Sequence, residues 1–175
     1  MRKVTFGVAN SLDNYIARKD HGIDWLMWSD ETADVLKDYW KTIDTIVMGR
    51  KTYEAGLKYS NSKNPYPGMK SYVLSRTLNP VEIEGLQIVN EEAAEFVRKL
   101  KAESGKDICI MGGGELGKSL LEAGLIDEIG FNIHPVLLGS GIPLFHEMNH
   151  QINLELIECR PFKNGCVYVL YKVKN

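Results

Sequence analysis

The sequence predicts an α/β fold, a mainly parallel sheet flanked by helices with an antiparallel hairpin at the end of the chain. Short apolar runs alternate with segments of helical periodicity in the order β-α-β-(α)-β-β-α-β-α-β-β-β. Parallel strands joined by crossover helices are the economical arrangement for that order. Apolar residues recur at every second position from Val167 to Val173, and Asn164-Gly165 suits a tight turn, which together predict the hairpin.

The first half of the chain holds one clear helix signal. Ser29 is a good N-cap, two acidic residues follow it, and apolar residues recur at helical spacing up to Ile43, so a helix is predicted to run to about residue 42. The other segments, in chain order, are predicted as a strand at 3–9, a turn-rich loop at 10–14, a short apolar segment at 15–17, a polar tip at 18–22, a strand at 45–48, a helix start at 49–54 and a loop at 58–69.

The second half holds most of the predicted strands. Phe96, Val97 and Leu100 share one face of a helix predicted over residues 91–104, which Gly105 ends. Strands are predicted at 71–74, 86–89, 107–111, 128–134, 154–159 and 167–173, with a long loop at 135–151.

A glycine-rich junction is the strongest functional signal. The apolar run Asp107–Met111 is followed by Gly112, Gly113 and Gly114, and then by a segment with helical character. A strand that ends in glycines and passes into a helix brings free backbone N–H groups and the positive end of the helix dipole to one point. Such a junction suits a phosphate or pyrophosphate, although a plain strand-to-helix turn is the alternative.

The same junction spells Gly112-x-Gly114-x-x-Gly117, the dinucleotide fingerprint. A Rossmann unit would place an acidic residue at the end of the next strand, whereas Asp127 and Glu128 stand before the next apolar run. Too few residues follow Gly117 for the rest of a doubly wound sheet. We therefore expect a dinucleotide without the Rossmann fold.

Cations accompany the predicted strand ends. Arg50 and Lys51 follow the strand at 45–48, and Arg76 follows the strand at 71–74. Ligands bind beyond the carboxyl ends of strands in open α/β sheets, so these side chains are candidates for phosphate contacts, with a solvated surface as the alternative. Cations rather than an acid near the ribose favour NADP(H) over NAD.

Composition excludes several classes of protein. The 175 residues fit one domain, and a net charge of −2 gives no reason to expect nucleic acid or an anionic membrane as a partner. No apolar run has the length of a spanning helix, and the N-terminus enters a strand pattern without a signal peptide. Cys109, Cys159 and Cys166 are predicted to be free thiols in a reducing cytoplasm, because they are odd in number and show no CxxC spacing. A hairpin turn at Asn164-Gly165 would set residue 159 opposite 170 and not 166, which argues against a bridge between Cys159 and Cys166.

The sequence contains one metal-like pattern. Residues 146–150 spell H-E-x-x-H, which binds zinc only when a stable helix holds both histidines on one face. Pro143 lies just upstream and a strand is predicted soon after, so we expect no metal site. His134, before Pro135 at a strand end, is interpreted as structural.

Taken together and in this order, three stretches resemble the dihydrofolate reductase fold. They are Val47-Met48-Gly49-Arg50-Lys51-Thr52-Tyr53-Glu54, Tyr72-Val73-Leu74-Ser75-Arg76 and Ile110-Met111-Gly112-Gly113-Gly114. Further stretches are similar to one branch, the reductase domain at the C-terminal end of bifunctional riboflavin-biosynthesis deaminase/reductases (the RibD C-terminal domain) and its stand-alone relatives. These are Ser11-Leu12-Asp13, Tyr15-Ile16-Ala17, Gly113-Gly114-Glu115-Leu116 and 135–141.

The resemblance implies NADPH bound along the strand ends. It implies that the phosphate region is held by Gly49, Arg50, Lys51 and Thr52, and the adenosine 2′-phosphate end by Ser75 and Arg76. The pyrophosphate would be bound by Gly112, Gly113, Gly114, Glu115 and Leu116. The nicotinamide would lie by Ala9 and Ile16. The implied reaction is hydride transfer to a C=N-type centre of a small heterocycle, as in 5-amino-6-(5-phosphoribosylamino)uracil reductase. The alternatives are a dihydrofolate reductase and an NADP-binding protein without turnover. Homodimers are implied too, since members of this branch often pair.

Two acids are candidates for catalysis. In folate reductases an acid on the first helix assists protonation of the ring, and Asp30 has a comparable place, although it also belongs to an ordinary helix start. Asp13 is the second candidate, with loop structure as its alternative. Asn14 stands where the riboflavin branch usually has glycine, and Asn tolerates a left-handed backbone.

Overall fold

The computed structural model describes residues 1–174. Their strands are β1 Val4–Ser11, β2 Tyr15–Ala17, β3 Ile43–Gly49, β4 Lys70–Leu74, β5 Leu86–Val89, β6 Asp107–Met111, β7 Glu128–His134, β8 Ile142–Pro143, β9 Asn153–Pro161 and β10 Val167–Lys174. Their helices are α1 Asp30–Thr42, α2 Arg50–Tyr59, α3 Ala93–Ala102 and α4 Gly114–Glu122. Each of these helices is too short or too polar to cross a membrane.

Eight of the strands form one sheet in the order β5-β4-β3-β6-β1-β7-β10-β9. The six strands from β5 to β7 are parallel, and β10 is antiparallel to both β7 and β9. The carboxyl ends of the six parallel strands therefore meet at one edge of the sheet. The fold predicted from the sequence, a mainly parallel sheet ending in an antiparallel hairpin, is confirmed.

The main core lies between one face of the sheet and helices α3 and α4. Phe6 of β1, Ile110 of β6 and Leu120 of α4 are fully buried there, together with Val97 of α3. Burying a side chain of this size stabilises the fold by about 1.5–3 kcal/mol. The other face of the sheet carries α1 and α2, with a smaller cluster around Met48.

Several predicted boundaries differ from the structure. β1 continues to Ser11, because residues 5–11 pair with β7, and α2 extends to Tyr59, into the predicted loop. α3 is shorter than predicted, since the Glu92 side chain caps its first turn. The predicted loop 135–151 contains β8, which pairs with β2.

The hairpin turn has three residues, not the predicted two. Phe162 N–H donates to the Cys166 carbonyl, and Gly165 has φ of +87°, as expected for a three-residue loop with glycine in the left-handed position. Cys159 is therefore opposite Val169, not 170 as predicted. The three cysteines are free, as the sequence predicted.

Gly117 brings α4 close to β1. A Cβ at this position would lie 2.8 Å from Cζ of the buried Phe6 ring. Alanine normally stabilises a helix relative to glycine by about 1 kcal/mol. Here we expect Gly117→Ala to lower the free energy of unfolding by about 1–3 kcal/mol, because a packed ring must move. Urea unfolding measures the difference.

The matched control replaces the Phe6 ring with a smaller side chain. In a Phe6→Leu background the added methyl group has more room, so Gly117→Ala should cost less than it does in the parent protein. A Gly117→Ala variant as stable as the parent would show that the helix and strand have room for a methyl group at this contact.

Candidate functional site

A cavity of about 690 Å³ lies between the sheet and helices α1 and α2. Its floor is the centre of the sheet, where β1 carries Gly7 and Ala9 and β7 carries Gly130. Larger side chains at these positions would fill the space below α1. α1 accordingly buries only Thr32, whereas α3 on the other face of the sheet buries four side chains. The cavity thus follows from small residues where a packed core would have large ones.

Two strand-to-helix junctions lie side by side at the carboxyl edge of the sheet. β3 passes into α2 at Gly49, and the neighbouring β6 passes into α4, whose N-cap is Gly113. Neither N-cap offers a side chain to the first turn, so backbone N–H groups of both helices are available to a ligand. A Cβ at either glycine would meet no described atom within 4 Å. Two positive helix ends with open space before them fit a pyrophosphate.

Glycines also hold the two junctions together. Gly112 has φ of +107°, and a Cβ there would lie 1.9 Å from Thr52 Oγ1, so only glycine lets the β6–α4 turn approach α2 this closely. At Gly114 a Cβ would lie 2.3 Å from the carbonyl oxygen of Leu144. Gly112 and Gly114 therefore shape the junction, and Gly113 leaves it open.

The predicted cations occupy the same edge. Lys51 lines the cavity. Arg50 is exposed, and its Nε lies 3.9 Å from Oε1 of Glu54. Arg76 is exposed after β4 and makes no ion pair within residues 1–174. Ser75 Oγ accepts hydrogen bonds from the backbone of Thr77 and Leu78, which shapes the turn that carries Arg76.

The cavity brings together about half of the predicted cofactor residues. Those that line it are Ala9, Ile16, Lys51, Thr52, Gly112 and Gly113. Those outside its wall are Gly49, Arg50, Ser75, Arg76, Gly114, Glu115 and Leu116. Of the latter, Leu116 packs against the core, and Glu115 is exposed in the first turn of α4.

Asp13 ties two loops together. Its carboxylate accepts hydrogen bonds from the Ser11 hydroxyl at 2.6 Å, from Leu138 N–H at 3.1 Å and from Gly139 N–H at 2.7 Å. The Ser11 hydrogen bond is the largest of several causes that hold the pKa of Asp13 below its usual value. The side chain is outside the cavity wall, and a catalytic role would require it to release these donors.

Asp30 is exposed in the first turn of α1 and does not line the cavity. The polar side chain that this turn presents to the cavity is Thr32. Its backbone N–H donates to the Ser29 cap at 3.2 Å, as the predicted helix start requires. The one carboxylate in the described cavity wall is Glu128, which pairs with Lys3 at 2.8 Å.

Sequence reasoning missed Asn132, which lines the cavity on β7. Its Nδ2 lies 3.3 Å from Nε2 of His134, and its buried Oδ1 has no partner among the described residues. His134 Nδ1 accepts a hydrogen bond from Met27 N–H at 3.1 Å, and burial lowers the pKa of this histidine. The period-two alternation of β7, which turns residues 128, 130, 132 and 134 to one face, was the available signal.

Two further groups in the cavity wall stay protonated. The Tyr39 hydroxyl shares a hydrogen bond with Thr5 Oγ1, and burial raises the pKa of Tyr39 well above its usual value. Burial also raises the pKa of the Cys109 thiol to about 11. Neither side chain is an anionic base or nucleophile at neutral pH.

The H-E-x-x-H stretch does not form a helix, so its two histidines are not held on one helical face. Within residues 1–174, no group of three or more His, Cys, Asp and Glu side chains could hold a metal ion.

Comparison with known proteins gives a consistent set of relatives. The model of a family described as the RibD C-terminal domain matches residues 2–168. The uncharacterised protein YwjB of Bacillus subtilis (strain 168) is 38% identical over 162 residues, which cover 92% of each chain. A Shewanella sp. PV-4 structure named for riboflavin biosynthesis is 27% identical, with a TM-score of 0.86 over 100% of both chains. Dihydrofolate reductase from Enterococcus faecalis, solved with NADP(H), is 20% identical, with a TM-score of 0.72 over 99% of this chain and 97% of its own. The predicted dihydrofolate reductase-like fold is confirmed.

The three hydrogen bonds that the Asp13 carboxylate accepts from Ser11, Leu138 and Gly139, which we call the Asp13 clamp, predict a pH-dependent contribution to stability. A carboxyl whose pKa is lowered by folding stabilises the fold above its unfolded pKa of about 3.8 and loses that contribution as the pH falls through the folded value. We expect Asp13→Asn to lower the melting temperature near neutral pH and to differ less from the parent below about pH 3.

Asp34→Asn, at an exposed position on α1, is the matched control. Thermal melts across this pH range measure both variants. A deficit of Asp13→Asn that stays constant from neutral to acid pH would contradict the ionic character of the clamp.

Proposed function

The chain belongs to the RibD C-terminal domain family, and from that premise we propose that it is an NADPH-dependent reductase of a small heterocyclic substrate. The proposed activity is similar to that of 5-amino-6-(5-phosphoribosylamino)uracil reductase in riboflavin biosynthesis. One observation carries the proposal: the adjacent, uncapped N-termini of α2 and α4 open onto a large cavity at the carboxyl edge of the sheet.

The proposed cofactor contacts follow the order of the strands. Backbone N–H groups after Gly49 and Gly113 bind the pyrophosphate, with Thr52 and Lys51 beside them. Arg76 after β4 binds the 2′-phosphate, for which it is exposed and without an ion pair in residues 1–174. Ala9 and Ile16 leave room for a flat ring above the centre of the sheet.

NADPH held at this junction would supply a hydride to the C=N-type centre of the substrate, and water would supply the proton that completes the reduction. The protein positions the two reactants, and its apolar walls exclude other water. No carboxylate in the described cavity wall is free to donate the proton, because Glu128 pairs with Lys3. Direct proton donation by Asp30 requires the first turn of α1 to shift, and donation by Asp13 requires its clamp to open.

A folate reductase is the second candidate, favoured by the shared fold. Thr32 argues against a folate reductase, because the first helix presents this hydroxyl to the cavity, whereas folate reductases use an acid on that helix. Binding of NADP without turnover is the third candidate, and it shares the cofactor contacts proposed above.

We also propose that residues 1–175 form a single domain that acts in the cytoplasm as a homodimer. The edge strand β9 supports the dimer, since Leu154, Leu156 and Ile157 are 40%, 55% and 50% exposed on a strand with one edge unpaired in residues 1–174. Antiparallel pairing of two copies of β9 would cover these side chains and satisfy that edge.

Leu156→Lys tests the dimer, because two lysines at a closed interface repel each other and resist burial. We expect light scattering after gel filtration to give twice the mass of one chain for the parent and one mass for the variant. Lys172→Ala, an exposed change on β10, should stay dimeric. A monomeric parent at micromolar concentration would contradict the proposal.

Gly113→Ala tests the cofactor site. The backbone there has φ of −67°, which alanine adopts freely, and its methyl group would point into space that we assign to the pyrophosphate. We expect an unchanged melting temperature and about tenfold or greater weakening of NADPH binding in calorimetry.

Arg76→Ala separates the two phosphate contacts. It should weaken binding of NADPH and leave binding of NADH unchanged, whereas Gly113→Ala should weaken both. Lys172→Ala is the control for loss of a surface charge. A parent protein that does not bind NADPH at millimolar concentration would reject the proposed function.

A further inference from the structure

The cavity continues beyond the glycine junction into a region that we call the apolar slot. Its walls are Thr32, Val35, Leu36 and Tyr39 of α1, facing Tyr168 and Leu170 of β10. Trp28 stands at the slot and is 72% exposed although it lines the cavity. Aromatic and aliphatic side chains on two facing walls suit a planar, conjugated ligand.

The described walls of the slot contain no lysine or arginine. Lys51 is the one Lys or Arg in the described wall of the cavity, and it lies on α2 next to Thr52, at the junction assigned to the cofactor. Both open helix N-termini are at that junction too. A phosphate moved into the slot would lose its hydration without a lysine or an arginine to replace it, and the N-terminus of α1 is already capped by Ser29 and carries Asp30 and Glu31 in its first turn. A phosphorylated second ligand therefore does not fit this part of the cavity.

Asn132 is a polar group beside the slot with a buried amide atom that has no partner among residues 1–174. His134 Nδ1 is an acceptor, because Met27 N–H donates to it, and the Cys166 thiol 3.4 Å away can only add a second donor. The proton of a neutral His134 is consequently on Nε2, which faces the Asn132 amide. Nε2–H needs the amide oxygen, and amide orientation is set by such partners. Asn132 Nδ2 is then the atom left without a partner.

We infer that the substrate is an uncharged, planar heterocycle without a phosphoribosyl group, which fills the apolar slot and accepts a hydrogen bond from the Asn132 amide through a ring carbonyl. This inference rests on the proposed reductase function and narrows its substrate class. Asn132 thus determines specificity for a substrate carbonyl, and His134 positions its amide.

Pterin and pterin-6-carboxylate form a matched pair of probes, since they share a flat carbonyl-bearing ring and differ by one anionic group. Fluorescence titration of the protein saturated with NADPH should give at least about tenfold tighter binding of pterin. Tighter binding of the carboxylate, equal binding, or no binding of either probe to the NADPH-loaded protein overturns the inference. Failure of the parent to bind NADPH rejects the proposed function instead.

Asn132→Asp keeps the shape of the side chain and an acceptor for His134 but removes the donor. It should weaken pterin binding about tenfold and leave the melting temperature and the affinity for NADPH unchanged. Asn79→Asp, in an exposed loop, is the control for the added charge. Unchanged pterin binding by Asn132→Asp overturns the assigned role.

Leu36→Arg supplies the missing cation within the slot. It should raise the affinity for pterin-6-carboxylate relative to pterin, because the anion then has a partner. A variant that folds, binds NADPH and still prefers pterin to the same degree as the parent overturns the electrostatic argument.

Discussion

The parallel pairing of β3 with β6 is the constraint on which the site depends. Met48 lies beside Met111 in that register, so the two helices that follow begin next to each other at the same edge of the sheet. Both begin at glycines, which leaves their N–H groups accessible. A register shift of one residue would turn the side chains of one strand to the opposite face and separate the two helix ends. The core pattern and the edge proposed to bind the cofactor phosphates are therefore fixed by the same pairing.

The cavity is a packing defect that the fold tolerates. Gly7 and Gly130 lie beside each other on neighbouring strands, and the apolar face of α1 above them is only half buried. α1 relies instead on its Ser29 cap and on the hydrogen bond between Tyr39 and Thr5. A ligand that fills the space would complete the burial of α1, so binding and stability of this half of the molecule are coupled.

The sequence predicted those elements that are determined by residues close together in the chain. The strand Asp107–Met111 and its glycine junction follow from an apolar run and from backbone freedom. The pairing of Ile142–Pro143 with β2 was not predictable, because a two-residue strand has no periodicity and depends on contact at Gly141, where a Cβ would lie 2.2 Å from the Ala17 carbonyl oxygen. In the site, the position of residues on the helix was enough to prefer Thr32 to Asp30. Val35 and Leu36 of the apolar face follow Thr32 by three and four residues, so these side chains share one face of α1.

The absence of an available acid in the described cavity wall bears on the chemistry. A C=N bond accepts hydride readily when its nitrogen is protonated, which is the task of a buried acid in folate reductases. A C=N bond conjugated to a ring carbonyl needs less help, because a neutral donor to that carbonyl can stabilise the negative charge that develops on its oxygen while water delivers the proton. Asn132 is such a donor, and its amide is held in orientation by a histidine whose own orientation is set by a backbone N–H. A neutral amide beside an apolar slot is thus suited to an uncharged heterocycle whose ring carbonyl is conjugated to the bond that is reduced.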